Sequence, residues 1–435
     1  MDFLLKNARI IRLDPTKIEK ADIRIVDGVI DEYGKTLQSK KSDEIIDLSG
    51  KYILPGFVNS HTHLYSTLSR GMPAPKTVPR NFIEILQKVW WKLDEALDEE
   101  SIYYSALVGA IEAVKFGTTT LVDHHASPNH IRGSLDLIKD GVSKVGLRGV
   151  LCYETTDRGG MKKRDLGLEE NERFVVENVN NSHFRGTMGG HASFTLCNDS
   201  LRKLGELASM YDCGVHIHVA EDAADVLDSM ENYNTDIISR LADQGVLRKK
   251  SLLAHGVHLN QKQLIRIEKN GAWMIHNPRS NMNNAVGSAP VNWFGEHSAL
   301  GTDGFTADMF DEAKFGYFRN AESEHRTEFS RIPVMLHKGQ QLISQFFGRS
   351  FGTFAKNSPA DIVVLDYNFP TTIDRQNIFG HFLFGMNSTM VQHVMVDGNW
   401  IVWNRQVMGI DEDAIMEKAR KVAVKLWKKM SPNFE

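Results

Sequence analysis

Over its first 50 or so residues the chain alternates apolar and polar positions, in LLKNARIIRLD and again in ADIRIVDGVIDEYG. A period of two predicts half-buried β-strands, and Asp27–Gly28 predicts a hairpin turn between them. The same texture returns from about residue 357, in DIVVLD and VQHVMVDGNWIVWNRQV, with a second Asp-Gly pair at Asp397–Gly398. Two β-rich ends around a different middle predict that the termini meet in one small composite β-sandwich domain. Residues 411–430 carry the spacing of a charged amphipathic helix.

The middle holds eight apolar runs separated by helix-like stretches: YILPGFVNSH, TTTLVDHH, LRGVLCYE, RGTMGGH, GVHIHVAE, SLLAH, AWMIHN and HSALGTD. Strand–helix alternation repeated eight times predicts an α/β chain built on a (β/α)8 barrel. The predicted division is 1–54 and 356–410 for the composite β-domain, 55–355 for the barrel and 411–435 for a C-terminal helix. Each run stops at a polar residue: His61, His125, Glu154, His191, His218, His255, Asn277 and Asp303. Barrel enzymes carry their chemistry at the C-terminal ends of the strands, so these residues are expected to form one ring. The longest connection, about 64–100, reads as a lid or pocket wall, with Phe82, Trp90 and Trp91 expected as its internal packing.

Composition narrows the classes. The 435 residues are 42% hydrophobic and 24% charged with a net charge of -4, an ordinary globular balance without the basic footprint of a nucleic-acid or membrane-surface binder. Lys6 interrupts the first apolar run before a signal-peptide core forms, and no stretch approaches the roughly 18 apolar residues of a membrane span. Cys152, Cys197 and Cys213 lack CxxC spacing, which argues against a disulfide framework or thiolate metal site and for a cytoplasmic protein.

The 17 histidines change the picture more. In NSHTHL, His61 and His63 are two apart at a strand end, so both imidazoles face one side and can grip a divalent ion. Alone, such a pair fits two pore-lining histidines satisfied by hydrogen bonds equally well. A second pair, His216 and His218, shares one face of the fifth run, with Glu221 three residues on. His255 ends the sixth run, with His258 just beyond, and Asp303 ends the eighth. Three imidazoles, one carboxylate and a water suit Zn2+ or Fe2+. Of His124 and His125, adjacent on a strand, only one can enter the barrel.

PGFVNSHTH, HVAED, AHGVHL, HNPRSNMNNAVG and LGTDG, in this order, resemble the amidohydrolase superfamily, in the branch of deaminases and chlorohydrolases of aromatic and cyclic amidines. The resemblance covers essentially the whole chain and its metallo-dependent hydrolase barrel. SNMNNAVG, DHHASP and CYETTDR are most similar to the SsnA-type aminohydrolases. It implies His61, His63, His218 and Asp303 as metal ligands, with His216 behind them or in the pocket. HxxE spacing to Glu221 favours His218 over His216. It also implies Glu221 as the shuttle of protons from water to the leaving nitrogen, His255 as a hydrogen-bond partner of that water or of the bond under attack, and Asp303 as first proton acceptor. Binuclear members place a carboxylated lysine at the end of the fourth strand. RGTMGGHASF has none, so one divalent ion, Zn2+ or Fe2+, is expected, with His191 contacting substrate instead. Glu154 and Arg158 are further substrate-binding candidates, Arg158 for a carboxylate or else as a solvated loop residue. The turn holding Asn277, Arg279, Ser280 and Asn281 is expected to be largely structural, and a homodimer is implied.

Hydrolytic deamination of a purine- or pyrimidine-like heterocycle is therefore the expected activity. Ring opening of a cyclic amide, or dechlorination, uses the same groups and stays open. A non-catalytic metal-binding maturation partner has no need of both Glu221 and Asp303. The unrelated zinc deaminases built on H-x-E and P-C-x-x-C are excluded by cysteine spacing.

Overall fold

The computed structural model describes residues 2–430. Eight parallel strands form the barrel: β1 (Phe57–Thr62), β2 (Thr118–His125), β3 (Arg148–Tyr153), β4 (Phe184–Gly186, resuming as Met188–Ala192), β5 (Val215–Val219), β6 (Leu252–His255), β7 (Trp273–His276) and β8 (Ser298–Leu300). They pair in sequence order, and a bridge between Thr62 and Asp303 closes the ring. Every residue of β1, β2 and β3 is buried. Covered on both faces, they read as continuous apolar runs and not as alternation. Val58, Val122, Val150, Leu252, Trp273 and Ile275 belong to one core cluster with Phe347 and Phe351. Each such side chain contributes roughly 1.5–3 kcal/mol by leaving water.

Among the helices, α1 (Glu99–Lys115) begins at a capping box of Asp98 and Ser101. The short α2 (Pro278–Asn283) follows β7, and α3 (Glu412–Met430) packs along α1 through Lys115–Glu412 at 2.7 Å. The last five residues of the expected C-terminal helix lie outside the described residues. No helix of the described chain is long and apolar enough to cross a membrane.

The two ends build one continuous nine-stranded, mostly antiparallel sheet around its own core of Phe3, Leu5, Ile10, Ile23, Ile362 and Met395. Its seam joins Tyr52–Pro55 antiparallel to Ile362–Leu365. The run 52–61, read from sequence as one strand, is thus two: the chain leaves the sheet at Pro55 and enters the barrel at Phe57. Gly56 makes the crossing, where a Cβ would stand 2.2 Å from Thr119. Both expected Asp-Gly turns take left-handed backbone, and they touch each other: a Cβ on Gly28 would meet the Asp397 carbonyl at 2.7 Å. Buried Arg148, at the start of β3, ties barrel to sheet through Asp361 at 2.5 Å and Asp397 at 2.6 Å.

Candidate active site

The strand ends bring the predicted groups together. His63 Nδ1–H donates to the His124 carbonyl at 2.6 Å, and His218 Nδ1–H donates to the His191 carbonyl at 2.7 Å. A carbonyl only accepts, so each ring keeps its proton on Nδ1 and turns an Nε2 lone pair inward. These two Nε2 atoms stand 3.1 Å apart. His61 Nδ1 pairs with His216 Nε2 at 2.7 Å, which sends His61 Nε2 inward as well. Asp303 Oδ1 lies 3.1 Å from His61 Nε2 and 2.9 Å from His63 Nε2. Facing lone pairs at such distances repel unless a cation lies among them, so this donor set fits a divalent ion. His218, His61, Asp303 and His255 also offer atoms all within 4.8 Å of one another. His216 takes the place behind His61, with its Nδ1 3.7 Å from the Cys152 thiol.

The carboxylates differ in charge. Burial opposes ionisation of Asp303, yet His63 and His61 outweigh it and hold the group well below the ordinary range. Glu221 is raised by burial to about 7. Its Oε1 accepts from Asn284 Nδ2 at 3.1 Å, and its Oε2 stands 3.5 Å from His255 Nε2. Two charged states within reach near neutral pH suit a proton shuttle. His255 (φ 76°) and Asp303 (φ 54°) both adopt left-handed backbone, a strain of order 1–3 kcal/mol that clusters at functional sites.

Above these groups opens a cleft of about 680 Å3, continuous with solvent. Phe82, Leu86, Trp90, Trp91 and Phe194 give it an apolar wall. The three aromatics of the 64–100 connection therefore face the cleft and are not solely packing within the lid. His191 lines the cleft, its Nδ1 held by Thr195 Oγ1 at 2.7 Å and its Nε2 3.8 Å from Glu154 Oε1. Arg158 Nη2 lies 3.2 Å from Glu154 and 3.7 Å from Asp94, with its guanidinium 4.4 Å above the Trp91 ring. Burial works against the Glu154 charge, but His191, His124 and Arg158 keep its carboxyl low. Burial and then Glu154 push Asp94 up to about 8.

The ring of eight strand-end residues needs one correction. His124, not His125, enters the barrel: its Nε2 donates to the Gly190 and His216 carbonyls at 3.1 Å, and its Nδ1 faces Glu154 at 3.3 Å. His125 turns outward to Ser127 Oγ at 2.8 Å. The turn read as structural also touches the site. Ser280 Oγ–H donates to Asp303 Oδ2, and Asn281 Oδ1 meets His255 Nδ1 at 2.8 Å. Asp94 went unnoticed in the sequence because, next to Glu95 in WWKLDEA, it looks like helix surface. Only its burial at 2% exposure marks it.

A sequence model of the amidohydrolase family matches residues 52–401. A 5-methylthioadenosine/S-adenosylhomocysteine deaminase of Thermococcus sibiricus is 30% identical over 411 residues, covering 92% of this chain and 94% of that one. A 5'-deoxyadenosine deaminase of Methanosarcina mazei is 29% identical over 437 residues, covering 98% of each. The crystal structure of an adenosine deaminase from Xanthomonas campestris with bound zinc superposes with a TM-score of 0.87 at 19% identity, over 98% of this chain and 99% of that one.

Proposed function

The chain belongs to the amidohydrolase family, and from that premise we propose that it is a metal-dependent aminohydrolase that deaminates the purine of an uncharged adenosine derivative. The observation that carries this is the convergence of His61, His63 and His218 Nε2 with Asp303 Oδ1 on one point beside Glu221. These four residues would hold one Zn2+ or Fe2+, since His191 ends the fourth strand where a bridging lysine would be needed for two. Such an ion lowers the pKa of a bound water from ~15.7 toward ~7.

The rest is the work of the chain. Asp303, ionised, faces the attacking water and accepts its first proton. Glu221, protonated below its value of about 7, gives its proton to the ring nitrogen as the carbon becomes tetrahedral. It then takes the second proton of the attacked water and passes it to the departing amine, and the proton held by Asp303 restores it. His255, its Nε2 3.5 Å from Glu221 Oε2, would hydrogen-bond the same water. The aromatic wall and His191 hold the flat heterocycle over these groups. Glu154 and Arg158, paired with each other, border the cleft beside His191 and Trp91. Its described lining includes six acidic residues, and Arg158, the cation beside it, is already engaged by Glu154 and Asp94, so a substrate phosphate has no free partner there. The named relatives act on adenosine derivatives, which is why the purine is preferred over a pyrimidine.

The test is ammonia release by zinc-loaded protein against a panel of aminopurine nucleosides, aminopyrimidines, cyclic amides and chlorotriazines. Turnover of a 5'-modified adenosine, lost in Glu221→Gln, supports the proposal. Turnover confined to cyclic amides or chlorotriazines would transfer the same machinery to another leaving group.

A further inference from the structure

Asn281 has no part in the chemistry set out above, yet it is 1% exposed and sits on α2 directly behind His255. Its Oδ1 lies 2.8 Å from His255 Nδ1, and its Nδ2 has no partner. On the opposite edge of the same ring, His255 Nε2 is also buried without a hydrogen-bond partner. That edge faces Glu221 Oε2 at 3.5 Å and belongs to the group with His61, His218 and Asp303.

A neutral imidazole carries one proton, and the partner of one nitrogen decides what the other presents. With the amide oxygen against Nδ1, the proton is there and Nε2 offers a lone pair. Turned over, the amide would donate to Nδ1 and leave an Nε2–H directed at the place a bound cation would take, and the two positive ends would repel each other. The left-handed backbone at His255 (φ 76°) also departs from ordinary strand geometry, so the ring direction depends on a side-chain hold. We propose that Asn281 is a positioning residue that fixes His255 with its proton on Nδ1, so that its Nε2 lone pair faces the metal and the attacking water. This rests on the metal centre proposed above.

Two variants separate acceptor from filler. Asn281→Leu keeps the shape and removes the oxygen; Asn281→Asp keeps an acceptor. Zinc affinity is measured by competition with a chromogenic chelator, and kcat and KM on the same preparations. Orienting partners of this kind are worth 10–100-fold in metal affinity or activity. Asn281→Leu is expected to lose about that factor in zinc affinity and in kcat with KM little changed, while Asn281→Asp stays within about threefold of wild type. A Leu variant that holds zinc and turns over like wild type overturns the proposal, as does an Asp variant that falls equally far.

Should the Leu variant fail to fold, long-range 1H–15N spectra of the wild-type protein decide, with His255 assigned by His255→Gln. A protonated Nδ1 and bare Nε2 support the proposal, and the reverse pattern overturns it. Wild-type protein that binds no zinc at all would instead bring down the metal centre itself, and this inference with it.

Discussion

Glu221→Gln asks whether one carboxyl group carries the protons. The substitution keeps the outline of the side chain. The glutamine carbonyl oxygen can still accept from Asn284 Nδ2, as Oε1 does at 3.1 Å, and its amide can donate toward His255 Nε2, 3.5 Å from Oε2. The Glu221 oxygens are not among the atoms that converge with Asp303 Oδ1 on His61, His63 and His218, so metal content should stay near that of wild type. What disappears is a group raised by burial to about 7, able to take and return a proton at neutral pH. A positioned proton transfer is worth on the order of 10²–10⁴ in rate. With two transfers assigned to the same group, kcat should fall by at least about 10³, or roughly 4 kcal/mol of barrier. The assay is metal content by mass spectrometry and single-substrate turnover on one preparation, with KM reported beside kcat. A glutamine variant that turns over within tenfold of wild type would refute the shuttle. One that loses its metal would show that Glu221 had been placed in the wrong role.

Four further outcomes follow from the same geometry. Purified protein should hold close to one equivalent of zinc or iron, and Asp303→Ala should lose both metal and activity; two fully occupied, bridged ions in a crystal would sink the single-metal reading. Because Glu221 must hold a proton to give to the ring nitrogen, kcat/KM should be level below about 7 and fall by about tenfold per unit above it; the limb should vanish in Glu221→Gln, and a profile rising through that range would reverse the assignment. Like-charge contact costs several kcal/mol, so adenosine 5'-monophosphate should be turned over at least about 100-fold less efficiently than adenosine or its 5'-deoxy form, and equal kcat/KM values would show that the acidic cleft does not select. Arg148→Ala strands buried Asp361 without its cation, while Asp397 keeps Arg349 at 3.0 Å, and should cost about 3–5 kcal/mol in urea unfolding; a loss under about 1 kcal/mol would mean the contact does not bind barrel to sheet.

The period of the pattern and the ends of the runs were legible in the sequence for a physical reason. A strand repeats every two residues, so His61 and His63 must share a face, as must His216 and His218, whatever surrounds them. Strands covered on both sides must be apolar throughout, so a polar residue closing such a run marks the rim. That sufficed for the fold class, for the paired β-rich ends and for six residues that the structure gathers beneath one cleft: His61, His63, His218, Glu221, His255 and Asp303. The Asp-Gly pairs announced their turns because left-handed backbone at both positions favours those residues.

Tertiary structure decided whatever depended on a partner distant in sequence. Which of His124 and His125 points inward is a matter of register, since one step along a strand exchanges the two faces. Tyr52–Pro55 left the barrel strand because Ile362–Leu365, some 300 residues away, offered it hydrogen bonds that local periodicity cannot report. Asp94, an unremarkable acid on a helix, gains its meaning from Glu154 and Arg158 across the cleft. Ser280, Asn281 and Asn284 look like turn formers until Asp303, His255 and Glu221 arrive from other strands to meet them. A chain displays its periodicities locally, but the charge and proton position of a buried group depend on neighbours that only folding supplies.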